Sequence, residues 1–268
     1  MDVGGIPGQR AARTRGMETP IIRPERLLTQ NSELRKVGVW NWTIPAHTLK
    51  LTDGSWFNAC PNAGSCGRVC YAKMGTYLFS NVRRRHLQNL EYVLYDGDTW
   101  EAQMIAELAH KRMRSKGVPL NLDHDPTDEV LSDWILRGGK AVRIHDAGDF
   151  FSADYLDRWF RIASSTPDVL FYAYTKEVEM LKEKKSKTPP NLRVVYSFGG
   201  KQDHMINRET DRHADVFPTA AALAEAGYYD QEDNDLLAVT APTMKIGIVA
   251  NNLPVANKRF AGRTMSEL

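Results

Sequence analysis

From Ala141 onward the sequence alternates short strand-like runs with amphipathic ones, at a spacing that few architectures accept. Ala141-Val142-Arg143-Ile144-His145, Leu170-Phe171-Tyr172-Ala173-Tyr174 and Leu192-Arg193-Val194-Val195-Tyr196-Ser197 each read as a strand. Between the first two, residues 152–165 place Tyr155, Leu156, Trp159, Phe160, Ile162 and Ala163 on one helical face. Residues 178–185 read as a shorter helix that ends before Pro189-Pro190. Strands joined through single helices pair in parallel, so the alternation predicts βαβ units in an α/β fold. Residues 214–217, 219–226 and 245–250 extend the series.

Upstream, residues 48–51 and Trp56-Phe57 flank Asp53-Gly54, a pair that readily takes the positive φ angles of a tight turn; this predicts an N-terminal β-hairpin. Helices are expected over residues 81–95 and 98–116, an irregular acidic stretch over 119–126 and a short helix over 128–136. Residues 1–25 hold Gly, Pro and Arg without apolar periodicity and read as a flexible tail. With no internal repeat and no long linker, residues 26–268 read as a single domain. Trp40 and Trp42 are expected on opposite faces of a strand, one towards the core and the other either towards a partner or, on the plainer reading, as cover over the core.

Apolar residues make up 42% of the chain and charged residues 25%, ordinary globular usage. No apolar run approaches the roughly eighteen residues of a membrane helix, and no signal peptide is visible, so a cytoplasmic protein with no membrane contact is expected. The net charge of +2 is too mild to argue for nucleic acid by itself. Two basic runs, Arg83-Arg84-Arg85-His86 and His110-Lys111-Arg112-Met113-Arg114, read either as solvated helix faces or as a phosphate or nucleic-acid patch.

The chemistry concentrates in Cys60-Pro-Asn-Ala-Gly-Ser-Cys66-Gly-Arg-Val-Cys70, which holds all three cysteines of the chain. An odd count argues against a disulfide framework, and clustering argues for one shared ligand. Thiolates suit iron–sulfur clusters, zinc and copper(I). Three of them can hold three irons of a [4Fe-4S] cubane, leaving the fourth open or bound by another group. A structural Cys₃His zinc, completed by His86 or His145, is the alternative, and three unrelated buried cysteines the plainest one.

Parallel sheets carry their functional groups at the carboxyl ends of strands, which singles out Asp146, Asp149, Thr175, Lys176, Ser197 and Gln202. His145, Asp146 and Asp149 could bind a hard metal or transfer protons. Equally, Asp149 could cap the helix starting near Ser152, and Asp146 could pair with an arginine. Lys176 could hold a carboxylate or phosphate, or be a plain solvent lysine. Tyr71, next to the third cysteine, would shield a cluster from solvent.

A cysteine trio ending in Cys70-Tyr71-Ala72 directly after a strand resembles the cluster loop of radical S-adenosylmethionine proteins, although the gaps here are five and three residues rather than three and two. Val142 through Phe151, Tyr155, Trp159 and Phe171 through Lys176 are similar to phage-encoded radical-SAM-like proteins. The run from Lys36-Val37-Gly38-Val39-Trp40-Asn41-Trp42 to Thr175-Lys176 resembles the mycobacteriophage gene product 88 family of actinobacterial phages. These resemblances imply a full or partial (β/α) TIM-like barrel with a [4Fe-4S] cluster on Cys60, Cys66 and Cys70 inside its rim. S-adenosylmethionine, if bound, would chelate the open iron. Its other contacts would come from Asp146, Asp149, Thr175, Lys176 and Ser197; Gly199-Gly200 reads as a turn rather than as a methionine-binding motif. Asp146, Asp149 and Lys176 are the candidate catalytic residues; Thr175, Ser197 and Tyr71 are the candidate cofactor contacts. The expected function is an iron–sulfur protein of radical-SAM-like ancestry acting on an unknown substrate. The alternatives are a redox sensor or phage factor acting on a host protein, an aconitase-like lyase, and a zinc-stabilised nucleic-acid binder.

Overall fold

Seven strands pair side by side, all in parallel. The computed structural model describes residues 21–110, 134, 139–232, 234–250, 258 and 260–268. The sheet strands are β1 (Val39–Trp42), β4 (Lys140–Ile144), β5 (Val169–Thr175), β6 (Leu192–Ser197), β7 (His213–Phe217), β8 (Tyr229–Asp230) and β9 (Lys245–Val249). Their order is β1-β4-β5-β6-β7-β9-β8. The antiparallel hairpin of β2 (Thr48–Lys50) and β3 (Trp56–Asn58) stands apart, with Gly54 at φ 86° in its turn, as Asp53-Gly54 predicts.

The sheet is a curled half-barrel with two edges, and the TIM-like barrel is not formed. Closure would need a last strand paired to β1. Instead β8 is two residues long and pairs only with β9, at the far edge. The outer edge of β1 is taken by Thr29, which exchanges both backbone hydrogen bonds with Asn41 at 2.8 and 3.0 Å.

Helices cover the sheet according to their apolar faces. The helices are α1 (Ser32–Lys36), α2 (Cys66–Val69), α3 (Ser80–Tyr95), α4 (Gly97–Ala109), α5 (Ala153–Ser165), α6 (Val178–Glu183), α7 (Ala220–Glu225) and α8 (Leu237–Thr240). Val142, Ile144, Phe171 and Ala173 point to one face and join a core with Leu90, Trp100, Met104, Tyr155 and Trp159 of α3, α4 and α5. Their alternate neighbours Ala141, Leu170 and Tyr172 point to the other, against Leu34, Ala238 and Val239 of α1 and α8. Trp42, Trp100 and Trp159 are fully buried, with Trp100 5.4 Å from each of the other two rings. Trp40 and Trp42 share a face, since residues two apart on a strand point the same way, and both pack on the first core.

α5 begins where Ser152 accepts from the Tyr155 amide at 3.2 Å, so Ser152 rather than Asp149 is the cap. The tail residues 1–20, the expected helix residues 111–116, the basic run beyond His110 and the stretch 119–126 lie outside the described residues. So does the helix expected over 128–136, apart from Trp134, whose side chain is buried. Within 21–25, Arg23 pairs with Asp96 at 2.7 Å.

Candidate functional site

Because all seven strands run the same way, their carboxyl ends open on one side, and residues at or near the ends of all seven meet there. They line a cavity of about 400 Å³. β1 leads to His47, β4 to Asp146 and Asp149, and β5 to Thr175 and Lys176; β6 ends at Ser197, and Gln231 follows β8. Cys60, Cys66 and Cys70 all line the same cavity, as does Tyr71.

The cysteine loop is docked by backbone. Gly199 O accepts from Gly64 N at 2.9 Å and from Cys66 N at 3.0 Å, and Lys201 N donates to Asn62 O at 2.9 Å. A Cβ on Gly64 would come within 3.0 Å of the Gly199 and Gly200 backbone, so only glycine permits this approach. Gly199, at φ 98°, is in the region that favours glycine. Gly199-Gly200 is thus a turn used to seat the cysteines. Glu177 holds the loop from below, accepting from Asn62 N at 3.2 Å and from Asn62 Nδ2 at 2.6 Å. Burial, reinforced by the nearby Asp149 charge, pushes the Glu177 carboxyl up to about 7.

Cys66 and Cys70 sit one helical turn apart at the two ends of α2. The Cys70 thiol hydrogen-bonds Cys66 and holds it low, at about 6, while the same bond and burial raise Cys70 far above the thiol range. The hydrogen bond thus favours charge on Cys66 over Cys70. Burial, followed by the Asp149 charge, pushes Cys60 up to about 12, and its sulfur accepts from His47 N at 3.3 Å. Among the described residues, no three His, Cys, Asp or Glu side chains are arranged to hold a single metal ion.

Asp149 is buried and accepts from Thr175 Oγ1 at 2.6 Å, Lys176 N at 2.9 Å and its neighbour Phe150 N at 2.8 Å. Burial raises its carboxyl in spite of these bonds. Lys176 turns its ammonium onto Ser197, reaching O at 3.1 Å and Oγ at 3.0 Å, so it is not a plain solvent lysine. Asp146 accepts from the Tyr77 hydroxyl and faces Arg143 at 3.9 Å, while its backbone O accepts from the Tyr71 hydroxyl. Gln202 pairs with Glu179 and does not line the cavity, and neither does His86, which packs on Tyr77.

Two cavity residues that sequence reasoning passed over or read differently stand out. His47 and His145 have φ of 62° and 66°, uncommon for non-glycine residues. Each leaves one buried ring nitrogen unpartnered, Nε2 in His47 and Nδ1 in His145. Burial depresses both, His145 down to about 3, so its ring is neutral. Tyr155 OH accepts from Trp42 Nε1 at 2.8 Å and has its own proton to give to His145 Nε2 at 2.9 Å. With Tyr155 as the donor, the His145 proton sits on Nδ1, a donor without an acceptor. Arg143, two residues earlier in β4, lines the cavity too and leaves Nε unpartnered while Asp235 holds Nη1 at 3.0 Å. The cavity thus presents thiols, one amine and spare N–H donors, an outfit for a polar ligand held beside soft ligating atoms.

No helix of the described residues is long and apolar enough to cross a membrane. No solved structure matches the chain. The chain is 30% identical over 157 residues to the gene 88 protein of Mycobacterium phage L5, covering 57% of this chain and 56% of that protein. It is 31% identical over 137 residues to the gene 88 protein of Mycobacterium phage D29, covering 49% and 48%. The chain thus spans about half the length of these curated relatives. The family model described as gene product 88 matches residues 22–263, which takes in the cysteine loop and nearly every strand end around the cavity, and the chain belongs to that family.

Proposed function

We propose that this protein carries a [4Fe-4S] cluster on Cys60, Cys66 and Cys70, with the remaining iron open towards the cavity, and acts on a small polar substrate there by radical-SAM-like chemistry. One observation carries the reading: the only three cysteines of the chain line a single cavity at the carboxyl ends of seven parallel strands. The donor set fits. Three thiolates are soft donors of the kind such a cluster takes, each to a different iron. The Cys70 bond favours charge on Cys66, and Lys176 lies close enough to favour charge on both Cys60 and Cys66. Bound there, the cluster would supply low-potential electrons and an iron able to take the amino and carboxylate groups of S-adenosylmethionine.

In this reading the chain's own residues position the ligand. Asp149 orients Thr175 and the Lys176 backbone; His145 Nδ1 and Arg143 Nε offer donors to ligand oxygens; Tyr71 screens the opening. A second reading, a redox sensor with a closed cluster, is favoured by His47: its unpartnered, buried Nε2 beside the cysteine loop is a candidate fourth ligand.

The test is anaerobic purification, iron and sulfide analysis, and paramagnetic resonance of the reduced protein with and without S-adenosylmethionine. About four irons per chain and a spectrum altered by the cofactor support the leading reading. Four irons and an indifferent spectrum that the His47→Ala variant renders responsive support the sensor. Zinc without sulfide refutes both.

A further inference from the structure

A long stretch of one-signed charge includes the residues of the cysteine loop that line the cavity. Residues 54–90 contain Arg68, Lys73, Arg83, Arg84 and Arg85 and no Asp or Glu, although the whole chain carries only +2. Three of these cations have local partners. Arg68 donates to Leu268 O at 2.8 Å, Lys73 Nζ to Gly67 O at 2.7 Å, and Arg85 to Arg26 O. The partners of Lys73 and Arg85 are carbonyls, which leave the positive charge in place. Arg83 and Arg84 are exposed and, among the described residues, have no hydrogen-bond or ion-pair partner.

Large apolar side chains stand among these charges. Leu78 is 54% exposed, Phe79 59% and Tyr71 47%, all on or beside two short 3₁₀ turns, Tyr71–Lys73 and Gly75–Leu78, which pack on each other, the second also against α3. Phe79 stands at the cap position of α3 and supplies no side-chain hydrogen bond, so the positive end of that helix dipole opens on the same surface. Tyr71 joins this surface to the cavity, since it also lines it. Exposed rings interleaved with unpaired cations suit a ligand with planar apolar faces on an anionic thread.

We propose that the surface formed by Tyr71, Lys73, Phe79, Arg83 and Arg84 binds single-stranded nucleic acid, with bases stacked on the rings and phosphates against the cations. The strand would cross the mouth of the cysteine cavity. This inference does not rest on the cluster reading and is tested without reference to iron content.

The experiment is fluorescence anisotropy of a labelled oligothymidylate titrated with the full chain at several salt concentrations. Three phosphate contacts, from Lys73, Arg83 and Arg84, give a log–log salt slope of about −2 for a single strand, so binding weakens roughly twentyfold between 50 and 200 mM salt. The double variant Arg83→Ala/Arg84→Ala should flatten the slope to about −0.7. Phe79→Ala should weaken binding at least about fivefold and leave the slope unchanged. These side chains are exposed, and circular dichroism checks that each variant folds. No binding at about 100 μM protein and low salt, where even non-specific binders associate, overturns the proposal. An unchanged slope in the double variant also overturns it. So does competition by polyglutamate equal to the oligonucleotide with no loss in Phe79→Ala, which would assign the surface to an acidic protein instead.

Discussion

Glu177 should make the protein less stable as pH rises through the weakly acidic range, the opposite of an ordinary surface carboxylate. Its carboxyl is buried beneath the cysteine loop, near Asp149, and is displaced from an ordinary value of 4.5 to about 7. The two hydrogen bonds from Asn62 oppose that displacement without cancelling it. In the unfolded chain the group ionises above pH 4.5, whereas in the folded chain it holds its proton until about 7. Between those values the folded state binds more protons, so stability is lost as pH rises through the window and is level above it. At 1.36 kcal/mol per pH unit, the span from 4.5 to about 7 sets a ceiling of about 3 kcal/mol. Glu177→Gln removes the ionisation and keeps an acceptor for the Asn62 amide. Urea denaturation of both proteins at pH 5, 6, 7 and 8 isolates the effect, because other titrations are common to both. The stability of the native protein relative to Glu177→Gln should fall by about 2–3 kcal/mol from pH 5 to pH 8. A difference that stays flat within about 0.5 kcal/mol would show that the carboxyl titrates at its ordinary value and would refute the burial argument.

Other substitutions test separate parts of the architecture. Gly199→Ala should cost more than about 2 kcal/mol, because the left-handed backbone at φ 98° is joined by a Cβ approach of 2.7 Å to Met265. Gly75→Ala, at φ 57° with nothing within 4 Å, should cost only about 1 kcal/mol; equal losses in chemical denaturation would remove the steric account. Trp159→Ala should cost about 3–5 kcal/mol and lower the melting temperature by roughly 10 °C, since the ring is fully buried against Trp100, Tyr155 and Phe171; a fall of only a few degrees would contradict that packing. Replacing any one of Cys60, Cys66 or Cys70 by Ser should lower iron and sulfide per chain at least about twofold in anaerobic preparations, while full loading of all three variants would exclude them as ligands.

The elements that sequence reasoning locates well are those whose packing is local. The helix expected over 152–165 appears as Ala153–Ser165 because it buries one apolar face, and the strand expected over 192–197 appears as Leu192–Ser197, rich in β-branched and aromatic residues. β8 and α8, of two and four residues, are too short to carry a period and were not foreseen. Sheet closure was misread for a different reason. Alternation sets the direction of strand pairing, but whether the ends meet depends on which segment reaches β1. Here Thr29, far from any strand signal, occupies that edge, while β8 stays at the other.

The site divides along the same line. Cys60, Cys66, Cys70, Asp146, Asp149, Thr175, Lys176 and Ser197 were legible because strand ends and clustered thiols are features of the chain itself, and all of them line the cavity. His47 and Arg143 were not, since nothing in Pro45-Ala46-His47 or in a strand arginine announces an unpartnered nitrogen. Their status follows from long-range packing. An unsatisfied buried donor costs about 1–3 kcal/mol, and a non-glycine residue at positive φ adds a comparable strain. Both penalties fall together on His145, and a strained backbone meets an orphaned ring nitrogen again on His47. Unpartnered nitrogens also occur in the packed core, at Trp100 and Trp159, but there without a positive φ. The coincidence of both penalties around one cavity, beside the three thiols, is what a site held ready for a ligand would show. The ligand would satisfy the nitrogens on binding, so its affinity would include the release of that stored cost.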